Sequence, residues 1–183
     1  MRIIGGMLSG RRITPPARMP HTRPTTDRAR EALFNILSNR LDLEAVSALD
    51  LFAGTGSIGF ELCSRGASRV IAVEKDPAMH AFIRQTAQSL ALDNHQVLRM
   101  DAFQYLEGCS ETFHLILADP PYAMPGPERL PEMVFGRDLL APDGYLVVEH
   151  AGHFSFPDRG DLVLRRDYGD SSFSFFHKSA AQN

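Results

Sequence analysis

From residue 46 onward, short apolar runs alternate with segments in which apolar residues recur every three or four positions. The apolar runs predict strands over 46–52, 69–74, 95–100, 113–119 and 145–150. The segments between them predict helices over 57–66, 77–92, 102–108 and 129–140, with Pro77 suited to a first helical turn. This alternation predicts a mostly parallel sheet that is covered by helices on both faces.

The carboxyl-terminal segment breaks the alternation. Two further strands, 161–168 and 171–178, are separated only by Gly169 and Asp170, which is too short a connection for a crossover helix. We therefore predict that they pair as an antiparallel hairpin. The expected fold class is α/β, with a seven-stranded, mostly parallel Rossmann-like sheet that ends in this hairpin.

The first 45 residues follow a different pattern. Residues 1–14 predict two short strands that form a small β-hairpin, and four prolines within 15–24 predict an extended linker. From Thr26, apolar residues at helical spacing predict a helix with Thr26 or Asp27 as its N-cap. The chain is therefore expected to divide into an amino-terminal extension, 1–24, and a larger domain, 25–183.

Composition narrows the class of protein. With 44% hydrophobic and 22% charged residues, the chain has the composition of a soluble globular protein. Cys63 and Cys109 lie far apart and predict neither a disulfide framework nor a metal site, and the seven histidines show no ligand spacing. No apolar run is long enough for a signal peptide or a membrane span, so we expect a cytoplasmic protein without a metal ion.

Charge is distributed unevenly along the chain. The net charge is −3, yet residues 1–30, which we call the basic segment, contain seven arginines and one acidic residue, Asp27. A basic segment on an acidic body is typical of binding to a polyanion, although a solvated basic tail has the same pattern. Arginine, whose planar guanidinium suits phosphate groups, supplies all of the positive side chains in this segment.

Three glycines follow the first strand of the larger domain. Gly54, Gly56 and Gly59 form a G-x-G-x-x-G sequence at the start of a predicted helix, which lets a backbone approach a cofactor or simply allows close packing. Glu74 ends the next strand, 20 residues after Gly54, where a carboxylate can accept hydrogen bonds from a ribose. Asp101 follows the third strand at the same edge. Together these residues favour an adenosine-containing ligand, and they leave a nicotinamide cofactor and S-adenosylmethionine both open.

The fourth strand ends in the sequence Asp119-Pro120-Pro121-Tyr122. Because proline has no N–H, the loop is freed from strand pairing, and the Asp119 carboxylate and the Pro120 carbonyl become fixed acceptors that match an NH₂ group. Tyr122 offers a flat face on which a base can stack. Acceptors aimed at a ring amine would orient this poor nucleophile and stabilise the charge that grows on it. A strand that merely ends in a Pro-Pro turn is the alternative.

The order LDLFAGTGSIG, VEKD, MDAF and LADPPY resembles the amino-methyltransferases that use S-adenosylmethionine, whose motif is [DNS]-P-P-[YFW]. With RIIGG, GRRI and RPTTDRAREALFNIL in front, the chain resembles the RsmD-type 16S rRNA guanine-N2 methyltransferases of bacteria over nearly its full length. This resemblance implies the S-adenosylmethionine methyltransferase sheet. It also implies methyl transfer to N2 of a specific guanine in 16S rRNA, within a small-subunit assembly intermediate, by a monomer.

The same resemblance implies three sets of site residues. The catalytic and base-binding set is Asp119, Pro120 and Tyr122. The cofactor set is Asp50, Phe52, Gly54, Gly56, Glu74, Lys75, Asp101, Ala102 and Asp119. The RNA-binding set is Arg2, Arg11, Arg12, Arg23, Thr25, Thr26, Arg28 and Arg30.

Four other functions compete with this interpretation. A DNA amino-methyltransferase usually needs a larger target-recognition region than the 45 residues that precede this sheet. A protein-glutamine methyltransferase would leave the basic segment without a purpose. A catalytically inactive RNA-binding module would have lost the cofactor acids, and a nicotinamide-dependent oxidoreductase would leave the Asp-Pro-Pro-Tyr sequence unexplained.

Overall fold

A computed structural model describes residues 1–16 and 26–180, which form five helices and seven strands. In chain order the helices are α1 (Asp27–Ser38), α2 (Ser57–Ser64), α3 (Pro77–Ser89), α4 (Ala102–Gly108) and α5 (Arg129–Gly136). The strands are β1 (Ser47–Leu51), β2 (Arg69–Val73), β3 (His95–Leu98), β4 (Phe113–Ala118), β5 (Leu140–Ala151), β6 (Leu162–Tyr168) and β7 (Ser171–His177).

All seven strands form one sheet in the order β3-β2-β1-β4-β5-β7-β6. The first five strands pair in parallel, because a helix carries the chain back across the sheet between one strand and the next. The tight turn at Gly169 joins β6 to β7, and β7 pairs antiparallel with both β5 and β6. The predicted seven-stranded α/β fold and its closing hairpin are confirmed.

The sheet is buried on both faces. One face packs against α1, α2 and α3, and the other packs against α4 and α5. Alternation along β1 shows the reason, since Ala48 belongs to the first layer of the core while Leu49 and Leu51 belong to the second. A strand that is covered on both sides must be apolar at nearly every position, which explains the continuous apolar runs in the sequence.

The helices begin where the sequence provides caps. Thr26 accepts a hydrogen bond from the Ala29 N–H at 3.2 Å, and Asp76 accepts from two amides of the first turn of α3, which Pro77 opens. The sequence prediction is wrong about where the last helix ends and where β5 begins. The helix predicted over 129–140 ends at Gly136, and β5 begins at Leu140 rather than at residue 145. A break in the pairing register with β4 interrupts the early part of β5, so its first residues lack a regular strand pattern.

The predicted amino-terminal hairpin is present, with Arg2 opposite Arg12 in an antiparallel bridge. Its side chains Ile3 and Ile13 are buried in the layer of the core that contains α1 and α2. The predicted linker and the predicted domain boundary at residue 24 fall largely or wholly outside the described residues. The hairpin therefore shares a hydrophobic core with the larger domain.

A buried carboxylate on α2 holds the hairpin in place. Glu61 is fully buried, and its two oxygens accept hydrogen bonds from the Ile4 N–H at 2.7 Å and the Gly5 N–H at 2.8 Å. Arg65 Nε donates to the same carboxylate at 2.8 Å, which balances the buried charge. The position of the hairpin on the domain therefore depends on a charged group that is satisfied only when the hairpin is docked.

We expect Glu61→Ala to lower the free energy of unfolding by about 3 kcal/mol, because it leaves two partly buried amides and one arginine without their acceptor. Glu31→Ala, at an exposed position on α1, is the matched control and should change stability by less than about 0.5 kcal/mol. Denaturant unfolding measures both, and amide hydrogen exchange at Ile4 and Gly5 reports the hairpin itself. Equal stability and equal exchange in the two variants would show that Glu61 does not anchor the hairpin.

Candidate active site

The glycine loop lies at the carboxyl end of β1 and leads into α2. Gly54 and Gly56 both have positive φ angles, 53° and 73°, which side-chain-bearing residues rarely adopt. A Cβ atom on Gly54 would meet nothing closer than a backbone oxygen at 3.9 Å, whereas one on Gly56 would lie 3.0 Å from Ile83. The loop backbone is thus open to a ligand at Gly54 and tightly packed at Gly56.

Glu74, which follows β2, binds this loop directly. One of its carboxylate oxygens accepts a hydrogen bond from the Gly54 N–H at 2.8 Å, and the other accepts from the Asp76 N–H at 2.7 Å. The predicted neighbour Lys75 is exposed to solvent. The carboxylate is therefore fixed beside the loop at the sheet edge where the sequence predicted a ribose contact.

Asp50 is a buried acid on β1, 3% exposed, and it faces α2. Its Oδ2 atom accepts a hydrogen bond from the Gly59 N–H at 3.1 Å, which links the strand to the first turn of the helix. The pKa of Asp50 is raised to about 7, mainly by burial; the hydrogen bond from Gly59 opposes this increase, and the nearby Glu74 carboxylate adds to it. Asp50 thus combines a structural role with a protonation state that is sensitive to charge in the site.

Asp101 and Ala102, two members of the predicted cofactor set, lie at the start of α4. Asp101 caps this helix by accepting from the Phe103 N–H at 2.9 Å and the Gln104 N–H at 3.3 Å, and Ala102 is buried behind it. Phe52, which has a φ of 58°, contacts the Phe103 ring edge to face, with 6.1 Å between the ring centroids. Phe103 was not among the predicted residues, since a phenylalanine inside a helix has no distinguishing sequence pattern.

The Asp-Pro-Pro-Tyr sequence follows β4, next to the glycine loop. Leu51 and Ala118 are register partners in neighbouring parallel strands, and the Asp119 N–H donates to the Leu51 carbonyl at 3.4 Å. The Asp119 pKa is raised well above its usual range, first by burial and then by the Glu149 and Asp50 carboxylates. The ends of β1 and β4 therefore bring the two predicted acids into electrostatic contact.

Pro120 is buried, whereas Tyr122 leaves 46% of its surface exposed, an unusual exposure for a large aromatic side chain. Its hydroxyl interacts with the side chains of Ser171 and Glu149. The pKa of Tyr122 is raised to about 12; burial makes the largest contribution, and the Glu149 charge makes the next largest. The ring is thus anchored at its hydroxyl end, and much of its surface is open for stacking.

Glu149 belongs to this site, and the sequence analysis missed it. Val148 is the register partner of Ala118, so Glu149, inside β5, lies level with Asp119, which directly follows β4. Glu149 is 7% exposed. The signal was present in the sequence, because Glu149 ends the apolar run YLVVE in the way that Glu74 ends RVIAVE.

Within the loop over 123–131, whose role the sequence did not indicate, residues 124–128 line a cleft of about 260 Å³ together with the Pro-Pro turn and Tyr122. The opposite wall includes His150, His153 and Phe154. His150 is 3% exposed, and its Nε2 atom lies 2.8 Å from the Ser174 hydroxyl. Burial lowers the pKa of His150, so this side chain contributes no charge to the cleft at neutral pH.

The basic segment is divided by the fold. Five of the predicted RNA-binding residues have exposed side chains in the structure: Arg2, Arg11, Arg12, Thr26 and Arg28. Arg23 and Thr25 lie outside the described residues. The exposed members therefore come from both the hairpin and the start of α1.

Arg30 differs from the other predicted phosphate contacts, and the structure corrects its assignment. Its side chain is 2% exposed, and its guanidinium donates to the Arg2 carbonyl and to the Asp27 carboxylate at 2.8 Å. A guanidinium that is buried in this way joins α1 to the hairpin and is unavailable to solvent. Helical spacing places Arg30 on the buried face of α1 with Leu33 and Leu37. The charge of the residue, on which the prediction relied, does not show which face of the helix it occupies.

The described parts of the chain contain neither a metal-binding cluster nor a membrane-spanning helix. Across residues 1–16 and 26–180, no group of three or more histidine, cysteine, aspartate or glutamate side chains is arranged to hold a metal ion. In the same ranges, no helix has both the length and the apolar character that crossing a membrane requires. Cys63 and Cys109 are both buried with free thiols.

Comparison with known proteins bears on the whole chain. The family model that matches residues 1–177 is described as Conserved hypothetical protein 95. Ribosomal RNA small subunit methyltransferase D of Escherichia coli K12 is 33% identical over 183 residues, which cover 98% of this chain and 91% of that protein. The protein of the same name from Haemophilus influenzae is 31% identical over 81% of this chain and 78% of its own.

Among solved structures, a hypothetical protein of Thermus thermophilus has a TM-score of 0.84 and 29% identity, over 96% of this chain and 98% of its own. The likeness therefore extends over the hairpin, the sheet and the site together. The resemblance predicted from the sequence motifs is confirmed, and the chain belongs to the Conserved hypothetical protein 95 family, together with the ribosomal RNA small subunit methyltransferase D proteins.

Proposed function

We propose that this protein transfers a methyl group from S-adenosylmethionine to the exocyclic N2 amine of a specific guanine in bacterial 16S rRNA. The observation that carries the proposal is the juxtaposition of the Asp119-to-Tyr122 turn and the glycine loop at one edge of the sheet. This arrangement puts amine acceptors and a stacking surface beside a loop suited to an adenosine-containing cofactor. The name shared by the relatives supports small-subunit rRNA as the substrate.

The residues around the loop fit S-adenosylmethionine. The open backbone at Gly54 suits the methionine end with Asp50 nearby, Glu74 suits the ribose hydroxyls, and Asp101 with the buried Ala102 suits the adenine. When bound, this cofactor supplies an electrophilic methyl group on a sulfonium sulfur. Asp50 and Glu74 contribute negative potential next to that cationic group, which favours its binding.

Asp119 and Pro120 act on the amine. Both offer oxygen acceptors to its N–H groups, so the nitrogen lone pair turns away from the ring and toward the methyl group. As the N–C bond forms and the S–C bond breaks, positive charge grows on the nitrogen, and the Asp119 carboxylate stabilises it. Asp119, or water, would accept the extra proton from the nitrogen once the methyl group is transferred, and the neutral thioether product would no longer be held by the negative potential of the site.

The exposed arginines provide the RNA surface. Arg2 and Arg12 face each other across the hairpin bridge, and two like charges directly opposite one another destabilise an isolated pair of strands. A phosphate group between them would relieve that repulsion, and Arg28 on α1 extends the positive surface. This surface favours a nucleic acid over a protein amide as the substrate.

The target guanine must leave its stack to reach the site, since the N2 amine of a stacked and paired base is not accessible to Asp119. A guanine in an assembly intermediate meets this requirement where the RNA is held open. The same proposal includes a monomeric enzyme in the cytoplasm, where ribosomal subunits are assembled.

The first test is the transfer of labelled methyl groups from S-adenosylmethionine to unmodified 16S rRNA, offered both bare and assembled with small-subunit proteins. We expect the label in N2-methylguanosine after digestion to nucleosides, with faster transfer to the assembled RNA. The label in another nucleoside would refute the guanine-N2 assignment. The absence of label from both RNAs would refute rRNA as the substrate and would favour DNA or a protein amide.

Two substitutions separate chemistry from cofactor binding. Asp119→Ala should lower the rate of methyl transfer at least about 100-fold with little change in the cofactor Kd, because it removes the amine acceptor. Glu74→Ala should weaken cofactor binding roughly 10-fold or more, because hydrogen bonds to a charged acceptor are removed. Calorimetry gives the Kd values, and single-turnover assays at saturating cofactor give the rates.

Asp158→Ala, at an exposed loop position, serves as the control for both substitutions. Retention of most activity by Asp119→Ala would show that the amine is held elsewhere. An unchanged cofactor Kd in Glu74→Ala would contradict the ribose contact.

The basic surface predicts a salt effect. Replacing Arg12 and Arg28 together with alanine should weaken RNA binding, and the slope of log Kd against log salt should fall by about 0.7 for each phosphate group that is no longer bound. Arg84→Ala, an exposed arginine on α3, should leave the slope unchanged. Filter binding at several salt concentrations measures the wild type and both variants. An unaltered slope in the double variant would exclude these two arginines as phosphate contacts.

A further inference from the structure

Glu149 lies beside Asp119 at the edge of the sheet where the base is proposed to bind. The register pair Ala118 and Val148 immediately precedes the two acids on adjacent parallel strands. Their side chains point to the same face, since each is two residues beyond Leu117 or Val147, which pack in the same layer of the core. Adjacent strands are about 4.8 Å apart, so two carboxylates can reach two neighbouring groups on one small ring.

Glu149 has residues of the proposed base site as its neighbours. On the side of β5 that faces away from β4, Glu149 is the register partner of Phe173 in β7. Phe173 is 2% exposed. The Glu149 side chain interacts with the Tyr122 hydroxyl, and its charge acts on Asp119. Glu149 is therefore next to the stacking ring and the amine acceptor at once.

Burial makes this acid costly for the fold. At 7% exposure its charge is largely removed from water, and it lies beside a second carboxylate of the same sign. A buried acid next to another acid is typical of a functional position. A donor group on the substrate would offset the cost.

We propose that Glu149 selects guanine by accepting a hydrogen bond from the N1–H group of the target base. This inference rests on the proposed function, in which Asp119 and Pro120 hold the N2 amine. N1 is bonded to the same ring carbon as N2, so an acceptor next to the Asp119 carboxylate meets the N1–H group. Glu149 is a specificity-determining residue in this assignment.

The donor pattern of the bases explains the selection. In guanine the amine stands next to an N–H donor, whereas in adenine and cytosine the amine stands next to an unprotonated ring nitrogen. A carboxylate facing such a nitrogen loses its hydrogen bond and meets a lone pair. Sites built to bond a donor reject analogues that lack it by large factors. Asp119 and Pro120 accept the amine of any of these bases, so Glu149 supplies the discrimination.

2-Aminopurine tests this assignment, because it keeps the amine on C2 but has an unprotonated N1. The modified guanosine is first mapped with the rRNA assay, and rRNA is then prepared with guanosine or 2-aminopurine at that position. The wild-type protein should prefer guanosine by at least about 100-fold in kcat/KM. Glu149→Gln should reduce this preference at least about 10-fold, since the glutamine amide can donate to N1 of 2-aminopurine.

Glu149→Asp and Glu132→Gln complete the experiment. The aspartate variant keeps an acceptor, so we expect a slower reaction with the guanosine preference retained. Glu132→Gln removes one charge at an exposed position on α5 and should behave as the wild type. The substrate ratio is the decisive readout, because a residue that only supports Tyr122 would slow both substrates equally. Thermal unfolding and cofactor binding establish that each variant is folded.

The outcomes separate the two proposals. Methylation of guanosine N2 with an equal substrate ratio in wild type, Glu149→Gln and Glu149→Asp would overturn the role of Glu149 and leave the proposed function intact. Loss of the preference in Glu149→Asp as well as in Glu149→Gln would overturn the acceptor role. No transfer to N2 of guanosine by the wild-type protein would overturn both proposals.

Discussion

The in-register ends of three parallel strands impose the main physical constraint on this protein. They bring Asp50, Asp119 and Glu149 to one edge of the sheet. Burial and the Glu74 charge raise the pKa of Asp50, and burial with the Glu149 and Asp50 charges raises the pKa of Asp119. A carboxyl group whose pKa is raised on folding lowers the free energy of unfolding as the pH rises. For Asp50 the loss falls between about pH 4 and pH 7. The fold thus sacrifices stability to assemble negative potential where a cationic cofactor and a base with N–H donors would bind.

The hairpin carries exposed arginines that we propose bind RNA, and it is fixed to the domain that contains this edge. Because Glu61 satisfies two hairpin amides and Ile3 and Ile13 enter the core, the hairpin cannot move independently of the sheet without exposing a buried charge and apolar surface. Arg30 adds a bond from α1 to the hairpin backbone. Exposed arginines are thereby held at a fixed position relative to the site, so that binding of phosphates can contribute to positioning the target base.

The order of the elements could be predicted from the sequence, because both faces of the sheet are covered and each strand is a distinct apolar run. The glycine loop, Glu74, Asp101 and Asp119 could be located for a related reason, since each follows such a run directly. The early part of β5 could not, because a register break removes the regular pattern.

The role of Arg30 was equally hidden, since a buried and an exposed arginine look alike in a charge count. Glu149 could not be assigned to the site from sequence motifs alone. Its strand end has the pattern that identified Glu74, but its importance depends on β4 and β5 being neighbours, and that adjacency is a property of the sheet.

The carboxylates of the site fall into two groups, according to whether they accept backbone hydrogen bonds or interact with other side chains. Asp50, Glu74 and Asp101 each accept a backbone N–H, so their positions are set by the loops and helix starts that they stabilise. The Asp119 and Glu149 charges both act on Tyr122, and the Glu149 charge raises the pKa of Asp119, so the protonation of Asp119 depends on what occupies the site. A bound cation or N–H donor lowers the pKa of an acid beside it. Binding of S-adenosylmethionine and of the target base would therefore favour the ionised form of Asp119. This is the form that would accept hydrogen bonds from an amine and stabilise the charge of the transition state.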